Sequence, residues 1–519
     1  MLLDLKAFGI FVSQNLVIVS AFLLFAILIY HLSFQKRQRI VPGIPIVGGE
    51  DRSSVKKNRI RFIHDGKNML AEGYKKYGGN FFYVPSKLGE RLMIPVKYLE
   101  DLKTAPIKEV DFVATFIEMF EGKYTTMGSR STLHPRVVRT QLNKYLADVM
   151  VDVQEEIRDA FEASFPPCED WTEVDVVDRI TQIVARVSSR MFGGTTLSRN
   201  NEWVQSSIAF AIDGFIGAQA LKNYPEFMKP LVAPFIPAIR AINKHYEAAE
   251  RAAIPLIEQR RCQGNKAQDL LFWMDEQAVS DEKDLKFLAG ILLKVSFAAI
   301  HTSAAAPTQL LYDLCAMPEY IEPLREEVVA ALGPEGMISK QGFHELSKLD
   351  SIMKESQRFN PLLLITFERV VTTDYPLSDG FVIPANTTIG VPTHAISMDP
   401  TLYEAPEKYN GFRFHKMRGQ GVESCQNGAN NPNQAERSAA LSAYVSSNPT
   451  SMAFGYGRHA CPRRFFAANE IKAIMAHILL NYDFKFPDGQ TQRPESLLFE
   501  TQYLPNPAGR VMFRRRKLA

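Results

Sequence analysis

The stretch Phe454-Gly455-Tyr456-Gly457-Arg458-His459-Ala460-Cys461 most narrows what this chain can become. Its two glycines permit a tight turn and a close approach of backbone to a flat ligand. The run Arg463-Arg464-Phe465-Phe466-Ala467 that follows reads as the opening of a helix. Backbone N–H groups around the cysteine and at that helix start can point at a negative sulfur and stabilise it. Arg458 adds a cation close by. A thiolate held this way suits a soft metal, and a haem iron with one cysteine axial ligand is the best match. A free cysteine is otherwise most often a small buried apolar residue. That plainer reading is taken for Cys168, Cys262, Cys315 and Cys425.

Three further segments bear on the same chemistry. Glu355 and Arg358 stand three apart, so they share one side of a helix and can pair. Alone, such a pair is usually a solvated one worth under about 1 kcal/mol. The segment Pro406 to Phe414 carries Arg413. The apolar run from Leu285 to Leu314 reads as one long buried helix, and Ala298-Ala299-Ile300-His301-Thr302 lies inside it. Pro307 removes one hydrogen bond from that helix and predicts a kink. A helical threonine ordinarily bonds back to the preceding turn. His301 reads equally as a proton relay or as a neutral hydrogen-bonding residue, since an unperturbed imidazole titrates at about 6.5.

Together these segments resemble the cytochrome P-450 monooxygenases. The haem-loop pattern Phe-x-x-Gly-x-(Arg or His)-x-Cys is filled by Phe454, Gly457, His459 and Cys461. The pattern Pro-Glu-x-Phe-x-Pro-x-Arg-Phe is met by Pro406 to Phe414, with Tyr409 for the Phe and Gly411 for the second Pro. The pattern Ala-Gly-x-acid-Thr is met at Ala298 to Thr302, with His301 in place of the acid. The four motifs run in the family's order. The resemblance implies a mainly α fold with small β-sheets, preceded by one N-terminal transmembrane helix. It implies heme b ligated by Cys461, and a buried network of Glu355, Arg358 and Arg413 bracing the segment that leads to the cysteine loop. It gives Thr302, beside His301, the task of handling protons during oxygen activation. His459, Arg458, Arg369 and Arg139 become candidates for the haem propionates, a task that suits arginine because it binds carboxylates bidentately. For the three arginines the competing reading is a solvated surface side chain. Arg139 matches the pattern Trp-x-x-x-Arg loosely: there is no Trp, and the spacing from His134 is one residue longer. One departure stands out. The family continues Cys-x-Gly, whereas this chain reads Cys461-Pro462-Arg463. Either the surroundings compensate for Arg463 or haem binding is impaired.

Leu16 to Phe34 contains no Asp, Glu, Lys or Arg. As a helix it reaches about 28 Å, close to the hydrocarbon thickness of a bilayer. Lys36, Arg37 and Arg39 follow, so the positive-inside rule puts the rest of the chain in the cytosol. The expected organisation is an anchor at 1–34, a basic and Pro/Gly linker at 35–48, and a catalytic domain at 49–519, with single-pass attachment to the endoplasmic reticulum membrane. A net charge of +3 argues against nucleic acid as the main partner. Five scattered cysteines fit a reducing compartment. Strands are expected near Phe81–Val84, Arg91–Val96, Phe381–Val391 and Arg510–Arg514, helices from Arg136 to Arg358, and a polar loop insertion from Gly419 to Thr450.

The function so implied is a membrane-anchored haem-thiolate monooxygenase. It would use O2 and electrons from an NADPH-cytochrome P-450 reductase to oxidise a bulky lipophilic small molecule. The wording of the motifs is similar to a fungal branch that includes ent-kaurene oxidase-like enzymes, which implies a terpenoid or meroterpenoid substrate from secondary metabolism. Two alternatives stay open: a haem-thiolate enzyme of desaturation, rearrangement or C–C cleavage, and a non-catalytic haem-binding membrane protein.

Overall fold

The computed structural model describes residues 20–21, 24–25, 40–264, 266–426 and 441–517, with backbone alone for 420–426. The expected anchor at Leu16–Phe34 therefore falls almost wholly outside the described residues, as does 427–440 of the expected insertion.

Twelve strands are described: β1 (Phe82–Ser86), β2 (Gly89–Met93), β3 (Val110–Asp111), β4 (Thr172–Asp175), β5 (Thr366–Val371), β6 (Tyr375–Pro376), β7 (Val382–Ile383), β8 (Thr387–Val391), β9 (Tyr482–Lys485), β10 (Leu497–Phe499), β11 (Gln502–Leu504) and β12 (Arg510–Arg515). They form a five-stranded sheet ordered β1-β2-β8-β5-β3, a three-stranded sheet β4-β12-β9, and two hairpins. In the largest sheet only β2 and β8 run parallel, with Leu92 opposite Ile389. The helices that position the site are α1 (Arg52–Lys76), α2 (Phe112–Met119), α3 (Leu146–Ser164), α4 (Val176–Ser198), α5 (Asn201–Leu221), α6 (Pro237–Gln263), α7 (Leu285–Ala316), α8 (Ser347–Phe359), α9 (Arg413–Gln426) and α10 (Arg464–Asn481). The fold is mainly helical with small sheets, as expected.

The centre of the molecule is α7. Asp284 caps its start, its carboxylate accepting from the Phe287 N–H at 2.8 Å. Helices α4, α5, α6, α8 and α10 all pack against it. A helix apolar all round must be buried on every side. By length and composition α7 could cross a membrane, but most of it is enclosed by the protein, so it is a core helix. It runs unbroken through Pro307 to Ala316, so the expected kink does not end it. Beyond Lys286 its only exposed residues are Ala298 and Thr302, four apart and hence on one stripe.

Several local expectations are revised. Phe381–Val391 is two strands, because Pro384-Ala385-Asn386 turns between them with Asn386 at φ = 62°. The expected loop insertion begins later, since α9 continues to Gln426. β5 was not anticipated. All six of its residues are buried, so it shows none of the alternation that marks a half-exposed strand. The chain after Pro45 is no free link either. Ile46 bridges to Tyr83, and the Val47 N–H donates to the Tyr83 carbonyl at 3.0 Å.

Candidate haem site

Cys461 lies on a loop between Tyr444 and α10. Its N–H donates to the Phe454 carbonyl at 2.7 Å, closing the loop on itself. Phe454 packs edge-on against the buried Tyr444, with ring centres 5.3 Å apart. Gly457 has to be glycine for two reasons. Its φ is +70°, and a Cβ there would stand 2.6 Å from the Lys103 Cβ and 2.7 Å from the Lys103 carbonyl oxygen. That close approach lets the Arg458 N–H donate to the same carbonyl at 3.1 Å. Burial pushes the Cys461 thiol up from its ordinary range; the N–H groups and guanidiniums of Arg463 and Arg464 pull it the other way.

Arg463 is not a surface residue. Its guanidinium reaches Ser188 Oγ on α4 at 3.0 Å and the Glu470 carboxylate on α10 at 3.1 Å. It also lies 4.5 Å over the Phe466 ring. Ser188 donates to the other Glu470 oxygen at 2.7 Å. Burial raises the Glu470 carboxyl above its usual range; Arg463, Ser188 and Ser303 of α7 oppose it. The side chain that departs from the family pattern is thus a member of a compact buried cluster tying α10 to α4.

The same loop carries His459, whose Nε2 is buried without a hydrogen-bond partner. Its ring stacks on Phe112 of α2 at 5.4 Å. Burial holds the imidazole down at about 4, and the guanidiniums of Arg369, Arg139 and Arg458 push the same way, with Asp111 opposing. Those three arginines are far apart in sequence, and the fold gathers them around one histidine. Arg369 arrives through a bulge in β5 between Thr366 and Arg369, where Phe367 takes φ = 55°. Its guanidinium is buried between Phe112 and Phe367 and donates to the Glu368 carbonyl at 2.8 Å. Burial lowers it to about 10, against the pull of Glu368 and Asp111. Arg139 sits on a π-helical turn, Val138–Leu142, and donates to the Arg458 carbonyl at 2.8 Å.

The Glu355 carboxylate is completely buried. Arg358 meets it with two parallel bonds, 2.9 Å from Nε and 2.8 Å from a terminal nitrogen. Arg413 reaches it at 3.3 Å, and the Asn410 N–H donates to it at 2.9 Å. Arg358 also donates to the Ser397 and Pro406 carbonyls at 2.9 and 2.8 Å, and Arg413 to the Glu404 and Lys408 carbonyls at 2.5 and 3.0 Å. The start of α8 is held by Glu327, whose carboxylate accepts from the N–H groups of Lys348 and Leu349.

On α7, Thr302 donates its hydroxyl hydrogen to the Ala298 carbonyl at 2.8 Å and also lies 3.3 Å from that of Ala299. His301 points elsewhere. Its Nε2 is 3.0 Å from the Ile208 carbonyl on α5, and burial lowers its pKa. The hydrogen bond is therefore donated by a neutral ring.

These residues fit a flat dianionic cofactor. A thiol beside the start of α10, an unpartnered buried imidazole nitrogen, and three guanidiniums around it are the donor set for an iron porphyrin with two carboxylates. Comparison with known proteins agrees. The cytochrome P-450 family profile matches residues 95–510. The chain is 34% identical over 483 residues to cytochrome P-450 monooxygenase braC of Annulohypoxylon truncatum, covering 91% of this chain and 92% of that protein. It is 34% identical over 468 residues to an ent-kaurene oxidase of Gibberella fujikuroi, covering 89% and 90%. It is also 34% identical over 467 residues to cytochrome P-450 monooxygenase olcJ of Penicillium canescens, covering 88% and 85%. The chain belongs to the cytochrome P-450 family, whose members are cysteine-ligated haem-thiolate monooxygenases using O2 and redox-partner electrons.

The Glu355 network yields a prediction. Glu355→Ala leaves two guanidiniums facing a buried gap, which costs about 3–5 kcal/mol. Urea unfolding of the purified variant should show a stability loss of that size together with reduced haem content. A stability within about 1 kcal/mol of the parent would mark the pair as energetically superficial.

Proposed function

We propose that this chain is a membrane-anchored monooxygenase of fungal secondary metabolism. It oxidises a bulky lipophilic substrate, a terpenoid or meroterpenoid, with Cys461 as the axial ligand of heme b. The observation that carries this reading is the convergence of Cys461 with His459, Arg369, Arg139 and Arg458 on one loop and its surroundings. The names of its relatives, an ent-kaurene oxidase among them, support the substrate class. When bound, the haem supplies a thiolate-ligated iron able to activate dioxygen.

The chain's own residues do the rest. The N–H groups of Arg463 and Arg464 face the Cys461 sulfur and favour its anionic form. His459 and the three arginines hold the propionates. Glu355, Arg358 and Arg413 brace the chain that leads to Phe454 and Cys461. Ala298 and Thr302 form the open stripe of α7 that faces the reaction. With its hydrogen given to the Ala298 carbonyl, Thr302 Oγ1 presents a lone pair to an ordered water and holds that water as a proton donor. Of the two roles open to His301, the hydrogen bond to Ile208 supports positioning of α7 against α5. His301 is bonded to Ile208 and Arg463 to Glu470, so neither departure from the family pattern by itself supports desaturation, rearrangement or C–C cleavage, or a non-catalytic role. A cleft lined by Lys103, Tyr456, Arg458 and Arg464 offers basic groups to an acidic reductase surface. Residues 1–34 form the membrane anchor, 35–48 the linker, whose last residues from Ile46 are already seated on the catalytic body, and 49–519 the catalytic domain, attached to the endoplasmic reticulum membrane on its cytosolic side.

Three outcomes follow. Reduced protein under carbon monoxide should show the red-shifted Soret band of thiolate ligation; Cys461→Ser should abolish it and Cys425→Ser should keep it. Retention of band and activity in Cys461→Ser would remove the central assignment. Thr302→Ala should leave substrate binding in place and divert electrons to hydrogen peroxide, with product per NADPH falling roughly tenfold. Measuring NADPH, peroxide and product together tests this, and unchanged coupling would exclude Thr302 from proton delivery. Deleting residues 1–34 should move much of the protein from the membrane fraction to the soluble one without loss of haem; unchanged membrane retention would argue against the anchor.

A further inference from the structure

On the α7 face that carries Phe297 and His301, beside the exposed Ala298, an aromatic wall leads away from the helix. Phe297 packs edge-on against Phe120 at 5.3 Å and Phe116 at 5.8 Å. Phe120 in turn lines a cavity with Phe215 of α5 and Phe499 of β10, whose rings meet at 5.3 Å. The same cavity has a polar share of lining, Gln219, Lys222 and Glu500 with Thr501 and Gln502, beside its apolar residues. The Lys222 side chain is only 3% exposed and that of Glu500 8%. Lys222 Nζ, Glu500 Oε1 and Gln219 Oε1 are all buried without a hydrogen-bond partner. Leaving such groups unmatched is costly, so they call for a ligand atom.

Their geometry specifies which kind. Lys222 Nζ and a Glu500 carboxylate oxygen are 4.0 Å apart. That is too far for a direct hydrogen bond, yet one oxygen can reach both at about 2.8 Å. The Glu500 backbone is pinned: it takes φ = 53°, and its N–H donates to the Ile63 carbonyl on α1 at 2.8 Å. A non-glycine residue held at positive φ is strained and persists only where its surroundings enforce it. Charge is already balanced nearby, because Arg91 and Glu368 form a second buried pair at 3.1 Å within electrostatic reach of Lys222 and Glu500. With Glu121 and Lys87 also facing Lys222, a carboxylate would add a fourth anion to three cations. A hydrocarbon would leave donor and acceptors bare. A hydroxyl both accepts and donates.

We propose that the substrate of this enzyme is a lipophilic alcohol whose hydroxyl bridges Lys222 and Glu500 while its carbon skeleton lies along the aromatic wall toward Phe297 on α7. The hydroxyl oxygen accepts from the Lys222 ammonium and its hydrogen is donated to the Glu500 carboxylate, with Gln219 as the alternative acceptor. The inference rests on the monooxygenase reading above and narrows its substrate class.

The test uses the full-length holoenzyme and matched polycyclic pairs, each an alcohol and its parent hydrocarbon, beginning with 5α-androstan-3β-ol and 5α-androstane. Binding is read from the Soret shift on titration. At least one alcohol should bind about tenfold more tightly than its parent, the worth of one buried hydrogen bond. The charge-neutral double variant Lys222→Met/Glu500→Gln, chosen because Lys222→Met alone strands a buried carboxylate, should erase that preference. It should leave the hydrocarbon's affinity within about twofold. Equal binding of every pair, failure of every alcohol to bind, or a preference that survives in the double variant would overturn the proposal and leave a water-bridged ion pair at this position. The carbon monoxide spectrum, taken on each protein, separates the two levels. A normal thiolate band without alcohol preference sinks this inference alone; a wild-type enzyme without the band removes the monooxygenase reading and this inference with it.

Discussion

One carboxylate, that of Glu355, has no exposure to water and depends wholly on the groups around it. Burying it alone would cost several kcal/mol. Here two guanidiniums and a backbone N–H satisfy it, and those guanidiniums then reach the carbonyls of Ser397, Glu404, Pro406 and Lys408. The ion cluster therefore organises backbone as well as charge. It fastens the irregular segment from Ser397 to Arg413 onto α8, and Ser351 extends the grip by bonding to the Gly411 carbonyl and to the N–H groups of Phe414 and His415. That segment has little regular secondary structure of its own, so without these bonds its polar backbone would lack partners.

Two other clusters obey the same rule with different results. Around Glu470, Arg463 and Ser188 provide enough donors that a long charged side chain fits where the family pattern has glycine. A local rule is broken and locally compensated. Around His459 the balance is left open: cations and donors outnumber carboxylates, and burial holds the imidazole neutral. The Glu470 carboxylate is matched from within the protein, whereas the His459 ring nitrogen is left for a ligand.

The α7 helix joins these parts. It is buried by its apolar surface, yet it serves several neighbours: Ser303 faces Glu470, His301 holds α5, and the Ala298–Thr302 stripe stays open. Successive residues serve different neighbours because each step around a helix turns the side chain by about 100°.

The cysteine loop, the Glu355–Arg358 spacing, Arg413, and the long apolar helix were all legible in the sequence, because each is a local pattern whose chemistry depends on spacing alone. That was enough to imply the family and a mainly helical fold. Tertiary structure decided what spacing cannot carry. Arg369 and Arg139 read as well as surface residues until a β-bulge and a π-turn delivered them to His459. β5 was invisible because a strand buried on both faces has no alternating pattern. Arg463 read as either compensated or a defect in haem binding; only its meeting with a carboxylate on the next turns of α10 and a serine from α4 made it part of the core. The partnerless groups of Lys222, Gln219 and Glu500 belong to segments far apart in the chain, and no spacing rule relates them. A sequence determines which groups a chain possesses and how near neighbours pair. Which distant groups end up sharing one buried space is settled by packing, since burial makes an unmet hydrogen bond expensive.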